Sequence, residues 1–179
     1  NNRKLTLHFK AALRAGITES DAIVFPQVEY TIKGEVVIDR TDFDDRRENG
    51  WKASGSTLIS HGFGQGVGAG YSKYLQCNSG GVSSLEKVYP ANLFVAGRNY
   101  RIRIDIKNSN AIGYVQGFAI SAYHENGQRS WKSFSADRDW SSVILAFPAL
   151  SSGSIRIEIE VYGNQAGTYF IDNITVLQV

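Results

Sequence analysis

The side chains able to do chemistry in this 179-residue chain are few and scattered. His8, His61 and His124 lie far apart and lack the H-E-x-x-H spacing that puts two imidazoles on one helix face around zinc. Cys77, the single cysteine, sits in Gln-Cys-Asn-Ser-Gly without a catalytic signature and reads as a small buried residue. Serine is plentiful, yet no G-x-S-x-G nucleophile elbow occurs. Paired carboxylates for glycoside hydrolysis meet only in space, so the sequence leaves that chemistry open. Most acidic residues fall on exposed strand faces or in the run Asp39–Glu48. Closely spaced aspartates in that run offer the hard oxygen ligands that Ca²⁺ prefers. Their order does not match an EF-hand, and the neighbouring arginines neutralise them, so a solvated turn explains the run without a metal.

Glycine takes every second position from Gly62 to Gly70. Gly64–Ala69 fits a loose G-x-G-x-x-A phosphate loop, but that motif needs a buried strand before it and a helix after it, and neither is legible. If extended, the stretch has one bare face, open to a backbone or a flat ligand, with His61, Phe63, Gln65, Val67, Ala69 and Tyr71 on the other. A mobile loop is the other reading.

The elements that position these residues are strands. Residues 99–107 place Ile102, Ile104 and Ile106 on one face and Arg101, Arg103, Asp105 and Lys107 on the other. Residues 154–162 repeat the design, with Ile155, Ile157, Ile159 and Val161 inward and Arg156, Glu158 and Glu160 outward. Strict period-two alternation marks strands with one buried and one wet face, as in an antiparallel sandwich. If the two strands are near neighbours, their charges pair across the wet face. Tyr114–His124 alternates as well and ends at Asn126-Gly127, a strong hairpin signal. Further strands are expected at Ile23–Tyr30, Gly34–Ile38, Ser141–Phe147 and Gly167–Leu177; the one helical candidate is Phe9–Ala15, though Thr6-Leu7-His8-Phe9 could equally open a strand. Short strands between Gly, Ser and Asn turns predict an all-β, antiparallel β-sandwich rather than a βαβ fold. A boundary is expected near Asp39–Asp45, with 1–38 an arm or the end of a preceding domain and 39–179 the sandwich.

Composition agrees with a globular domain. Hydrophobic residues make up 42% and charged residues 20%, which excludes disorder for the bulk of the chain. A formal net charge of +2 without a dense Lys/Arg cluster argues against nucleic-acid binding. No apolar run is long enough to cross a bilayer, and the amino terminus shows no signal-peptide core. The chain starts at Asn1 and has no methionine, so a fragment or processed product is expected.

Four fragments, in order, carry a resemblance. They are Thr41-Asp42-Phe43-Asp44-Asp45 followed by Gly50-Trp51; Gly66–Leu75; Val95-Ala96-Gly97-Arg98-Asn99-Tyr100-Arg101-Ile102; and Gly167–Val176, which contains Tyr169-Phe170-Ile171-Asp172-Asn173-Ile174. Together they resemble the jelly-roll carbohydrate-binding modules attached to cellulases and xylanases, over roughly residues 41–178. Similar domains occur in insecticidal toxins and in phage or bacteriocin tail proteins, so the fold does not settle function. The resemblance implies a jelly roll, and a structural Ca²⁺ held by Asp42 or Asp44 together with Asp172.

Sugars present flat C–H faces ringed by hydroxyls, so a site for them needs exposed rings with polar partners at the edges. Trp51 and Trp140 are expected to pack inside such a sandwich. Trp131, in the polar run Gln128–Ser133, is the best exposed candidate, and Tyr123, Tyr114, Gln116 and Tyr74 could join it on or beside one sheet face. The expected function is a non-catalytic carbohydrate-binding module of a larger secreted or surface protein, with an oligo- or polysaccharide or glycan receptor as partner. The rivals are a receptor-binding or homo-oligomerising domain of a toxin or tail protein, and a small glycan-active enzyme.

Overall fold

The computed structural model describes residues 3–11, 18, 23–32, 34–63, 73–109, 117–162 and 167–179. They form two compact units, Asn1–Glu35 and Val36–Val179. In the first, β1 (Arg3–Leu7) pairs antiparallel with β4 (Val28–Ile32), and β2 (Lys10–Ala11) with β3 (Ile23–Val24). Leu5 stands opposite Tyr30, and Lys4 bonds Glu29 at 3.3 Å on the other face of the ribbon. Lys10–Ala11, expected to open a helix, is therefore extended; residues 12–15 of that candidate lie outside the described residues.

The second unit begins with β5 (Val36–Thr41), whose Val36 pairs with Gln178. Residues 36–38, assigned from sequence to the preceding segment, thus belong to the sandwich strand. Then come β6 (Lys52–Phe63), β7 (Lys73–Tyr89), β8 (Asn99–Asn108), β9 (Gly117–His124), β10 (Arg129–Ser135), β11 (Ser141–Pro148), β12 (Ile155–Tyr162) and β13 (Gly167–Gln178). All pairings are antiparallel.

Two layers result. The first runs β5-β13-β8-β11 and the second β6-β7-β12-β9-β10. The long strand β7 joins them, because Leu75–Ser79 pairs with β13 and Ser83–Tyr89 with β12. The change of partner falls at Gly80-Gly81, where two residues without side chains let the strand bend. Ser79 and Ser83 share a buried hydroxyl bond of 2.8 Å across that bend.

Alternation then builds the core. Tyr100, Ile102, Ile104 and Ile106 of β8, with Val143, Leu145 and Phe147 of β11, point inward from the first layer. Phe118, Ile120 and Ala122 of β9 and Ile155, Ile157, Ile159 and Val161 of β12 meet them from the second. Phe118 packs edge-on against Tyr169 of β13 at 5.5 Å, and His124 against Phe147 at 6.4 Å, so the layers touch through rings. Trp51 and Cys77 are buried as expected, and burial pushes the Cys77 thiol up to about 12, which keeps it an unreactive thiol.

Two expectations are corrected here. Strands β8 and β12 are not neighbours, since β7 and β13 lie between them. Trp140 is not in the core; Val143, Leu145 and Phe147 take the inward positions of β11, so its side chain falls on the outer face, half-buried.

Most of the glycine-alternating stretch, residues 64–70, lies outside the described residues. Gly62 lies inside them, opposite Tyr74, and a Cβ there would stand 2.2 Å from the tyrosine ring. The flat group that the missing side chain admits is the protein's own Tyr74. Gly62→Ala therefore has to push the ring off its edge-on contact with Phe170. The expected cost is about 1–3 kcal/mol, the usual range for overpacking, read as a lower melting temperature.

Candidate functional site

The outer face of the second layer carries the densest set of polar and aromatic side chains. Register assembles it in rows. Arg129, Tyr123, Arg156 and Val88 form one row across β10, β9, β12 and β7. Trp131, Ser121, Glu158, Glu86 and Lys52 form the next. Ser133, Ala119, Glu160, Ser84 and Ser54 follow, and Tyr162 stands opposite Gly117 at the end. The β9–β10 hairpin fixes half of this arrangement. His124 and Gln128 close it, and Gly127 takes a φ of +83° in the left-handed position that a three-residue turn requires. Shifting that turn by one residue would send Trp131 to the core side.

Within the rows the charges are paired. Arg129 donates to both oxygens of Glu160, at 2.8 and 2.6 Å, and to the Ser121 hydroxyl at 2.8 Å. Tyr123 donates its hydroxyl to Glu160 at 2.8 Å, and Tyr162 donates to the same carboxylate. Arg156 lies 3.1 Å from Glu158 and 3.7 Å from Glu86. The two guanidinium groups also flank Tyr123 from the neighbouring strands, Arg129 at 5.1 Å and Arg156 at 4.8 Å from the ring centre. Arg129 stands 5.3 Å from the Trp131 ring centre as well. Trp131 is 56% exposed and Tyr162 41%, so both project from a locked polar base.

The two central carboxyls are tuned in opposite directions. Burial pushes Glu158 up to about 7; Arg156 opposes this, while a hydrogen bond with Glu86 and the charges of Glu160 and Glu86 add to it. For Glu160, burial alone would raise the value, but hydrogen bonds from Tyr162, Tyr123 and Ser121 and the charge of Arg129 bring it below the ordinary range. With Glu158 holding its proton, two guanidinium groups face two carboxylates, and the Lys52 ammonium leaves the face with one positive charge. The sign follows from linkage. A carboxyl raised in the folded state binds its proton more tightly there, so Glu158 costs stability as pH rises from its ordinary 4.5 through about 7. Glu160 does the reverse and loses its contribution as pH falls. Glu158→Gln is accordingly expected to raise the melting temperature by a few degrees at pH 8 and to leave it unchanged at pH 4, in thermal melts at both pH values.

Of the candidates from sequence, Trp131 and Tyr123 share this face. Tyr114 and Gln116 lie outside the described residues. Tyr74 is elsewhere; it packs against Phe170 at 4.8 Å and Trp140 at 6.2 Å at the far end of β7. Arg129, Glu160, Tyr162, Arg156, Glu158 and Glu86 were not singled out, although alternation along β12 already turned three of them outward.

The implied calcium ligands lie at one end of β5 and β13, where Thr41 pairs with Ile174, and each has a bond within the protein. Asp44 accepts the Lys73 backbone N–H at 2.8 Å, and the Lys73 ammonium sits 3.1 Å from the Asp44 carbonyl oxygen. Asp42 accepts the Asp44 N–H at 3.3 Å, a local turn bond. Asp172 is buried, accepts the Asn173 N–H at 2.8 Å and faces Asp105, whose cation is Arg103 at 3.2 Å. Among the described residues no three Asp, Glu, His or Cys side chains are grouped as a metal would need.

No protein-family model matches the sequence, and no curated protein matches it. Solved structures do. The CBM22-1 xylan-binding domain of Paenibacillus barcinonensis Xyn10C superposes with a TM-score of 0.68 at 13% identity, covering 83% of this chain and 97% of that one. The carbohydrate-binding module TmCBM61, solved with β-1,4-galactotriose, gives 0.57 at 15% identity over 77% and 94%. The enzymatically active domain of tailspike protein 4 from bacteriophage CBA120 gives 0.59 at 11% identity, over 77% of this chain and 20% of that one. Sequence alternation, layer order and these superpositions agree that residues 36–179 have the antiparallel jelly-roll β-sandwich fold of carbohydrate-binding modules.

Proposed function

We propose that this chain is a non-catalytic carbohydrate-binding module of a secreted or surface protein, and that it holds a neutral polysaccharide on the outer face of β7, β12, β9 and β10. The single observation that carries this reading is Trp131. It is an exposed indole on a strand whose neighbours present a fixed row of hydrogen-bonding groups. The indole supplies a flat apolar platform for a sugar C–H face, while Glu160, Arg129, Tyr162 and Lys52 offer acceptors and donors to hydroxyls around it. The pairing of both arginines leaves Lys52 as the excess cation, a small net charge that suits an uncharged ligand.

The same geometry argues against hydrolysis. Glu158 and Glu86 stand directly opposite each other on β12 and β7 and share the Arg156 guanidinium, which ties both into an ion-pair network. Glu160 is held ionised by three hydroxyl donors and a guanidinium, the reverse of what a general acid needs.

Affinity electrophoresis through gels containing xylan, β-1,4-galactan, β-glucan or mannan tests the reading. Retardation by at least one of them is expected, and its loss in Trp131→Ala. Unretarded migration through the whole panel would contradict it.

A further inference from the structure

The outer face of the first layer carries cations that, among the described residues, no carboxylate answers. Arg40, Thr175, Arg103 and Ile144 form a row across β5, β13, β8 and β11. Arg40, Arg103, Asp105, Asn173 and Thr175 line a pocket of about 440 Å³, within the size range of ligand sites. A β-bulge shapes it. Three steps along β13, from Asp172 to Thr175, oppose two along β8, from Asp105 to Arg103, and Asn173 takes a left-handed φ of +47°. Such bulges re-aim side chains, and a left-handed non-glycine residue carries strain that the surrounding structure has to hold. Asp105, 1% exposed, anchors Arg103 in the pocket wall and accepts from Ser142 as well.

Two residues further along β8 on the same face stands Lys107. Its ammonium lies 5.0 Å from the ring centres of Trp140 and Phe170 and 5.5 Å from that of Tyr74. The three rings are half-buried and form a small aromatic floor beside the pocket. Among the described residues no carboxylate pairs with Lys107 or with Arg40, whereas Asp105 and Asp172 are already held by Arg103 and by the Asn173 N–H. Lys107 and Arg40 stand about 13 Å apart along the strand direction, four residues at about 3.3 Å each. An extended chain that repeats its charge can engage both.

We infer that the outer face of β5, β13, β8 and β11 is a second glycan site, selective for an acidic, uronate-bearing polysaccharide. Tyr74, Phe170 and Trp140 supply the apolar floor for a sugar face, Lys107 and Arg40 pair with carboxylates of separate sugar residues, and Asn173 and Thr175 meet hydroxyls in the pocket. The two faces then sort ligands by charge: paired arginines on one accept neutral chains, and unpaired cations on the other accept anionic ones.

Electrophoresis through polygalacturonate and alginate gels tests this independently of the neutral panel, with highly methyl-esterified pectin as the same backbone stripped of charge. The wild-type chain is expected to be retarded by at least one uronate polymer and not by the ester. Lys107→Gln and Arg40→Gln should each weaken that retardation about five- to tenfold with unchanged melting temperature, while Trp131→Ala leaves it intact. Arg98→Gln, an equal loss of charge at an exposed position outside the site, is the control. Free migration through both uronates overturns the proposal, as does equal weakening by Arg98→Gln or equal retardation by the ester. Failure of the neutral-ligand reading shows instead in the xylan, galactan, glucan and mannan lanes.

Discussion

Replacing Trp131 by alanine is expected to abolish retention on the polysaccharide the module recognises while leaving the fold intact. A sugar ring laid on an indole removes on the order of 80–100 Å² of apolar surface from water, worth about 2 kcal/mol at ~25 cal/mol per Å². That is roughly a thirtyfold loss in affinity, enough to take a micromolar ligand out of the range of a gel assay. The stability side has the opposite expectation. Trp131 is 56% exposed and, among the described residues, its strand β10 pairs only with β9, so truncation should move unfolding free energy by no more than about 0.5 kcal/mol. A large drop in melting temperature would mean that the indole is a packing residue, and the binding account would lose its anchor.

Removing Arg129 is expected to act on both quantities. Its guanidinium bonds Glu160 and Ser121, contacts the Tyr162 hydroxyl at 3.1 Å, and borders the Tyr123 and Trp131 rings. In Arg129→Ala the Glu160 carboxylate, whose side chain is 12% exposed, keeps its charge without its cation. Partly buried pairs broken from one side cost about 1–3 kcal/mol, less than the 3–5 kcal/mol of a fully buried pair because solvent reaches this one. For a domain of this size that lowers the melting temperature by roughly 2–10 °C. The Glu160 carboxyl should rise in pKa, so the destabilisation should shrink as pH falls through the carboxylate range. A pH-independent loss would show that packing of the guanidinium, rather than its charge, is what matters. Glu160→Gln alongside separates the two, since it removes the ion pair and keeps the shape.

The sequence made the strands legible because one face of each is wet. Ile102, Ile104 and Ile106 against Arg101, Arg103, Asp105 and Lys107 leave no other arrangement for β8, and Ile155–Tyr162 has the same form. Asn126-Gly127 located the hairpin for a backbone reason, the left-handed Gly127. Alternation is silent about neighbours. It did not reveal that β8 and β12 lie in different layers, so charges expected to pair with each other pair instead with Asp105 on the same strand, with Glu86 of β7 and with Arg129 of β10.

The site followed the same division. Trp131 stood out through its polar surroundings, a local property. The network beneath it joins the β9–β10 hairpin to β12, with Glu160 31 residues beyond Arg129 and 37 beyond Tyr123, and only register brings Glu160 under them. Trp140 was misplaced although the signal was present: counting back from Val143 by twos leaves position 140 on the outside. Tyr74 also alternates outward against Leu75 and Cys77, but its distance from Trp131 depends on β7 spanning both layers.

The most direct test of the central claim is amide chemical-shift mapping of the ¹⁵N-labelled chain during titration with a retained neutral oligosaccharide. Saturable shifts are expected at Ala119, Ser121 and Tyr123, at Arg129, Trp131 and Ser133, at Glu158, Glu160 and Tyr162, and at the Trp131 indole N–H, with Trp51 and Trp140 indoles unmoved. Shifts confined to Trp140, Phe170 and Lys107, or to residues 3–32, would place neutral-sugar binding elsewhere and contradict the account.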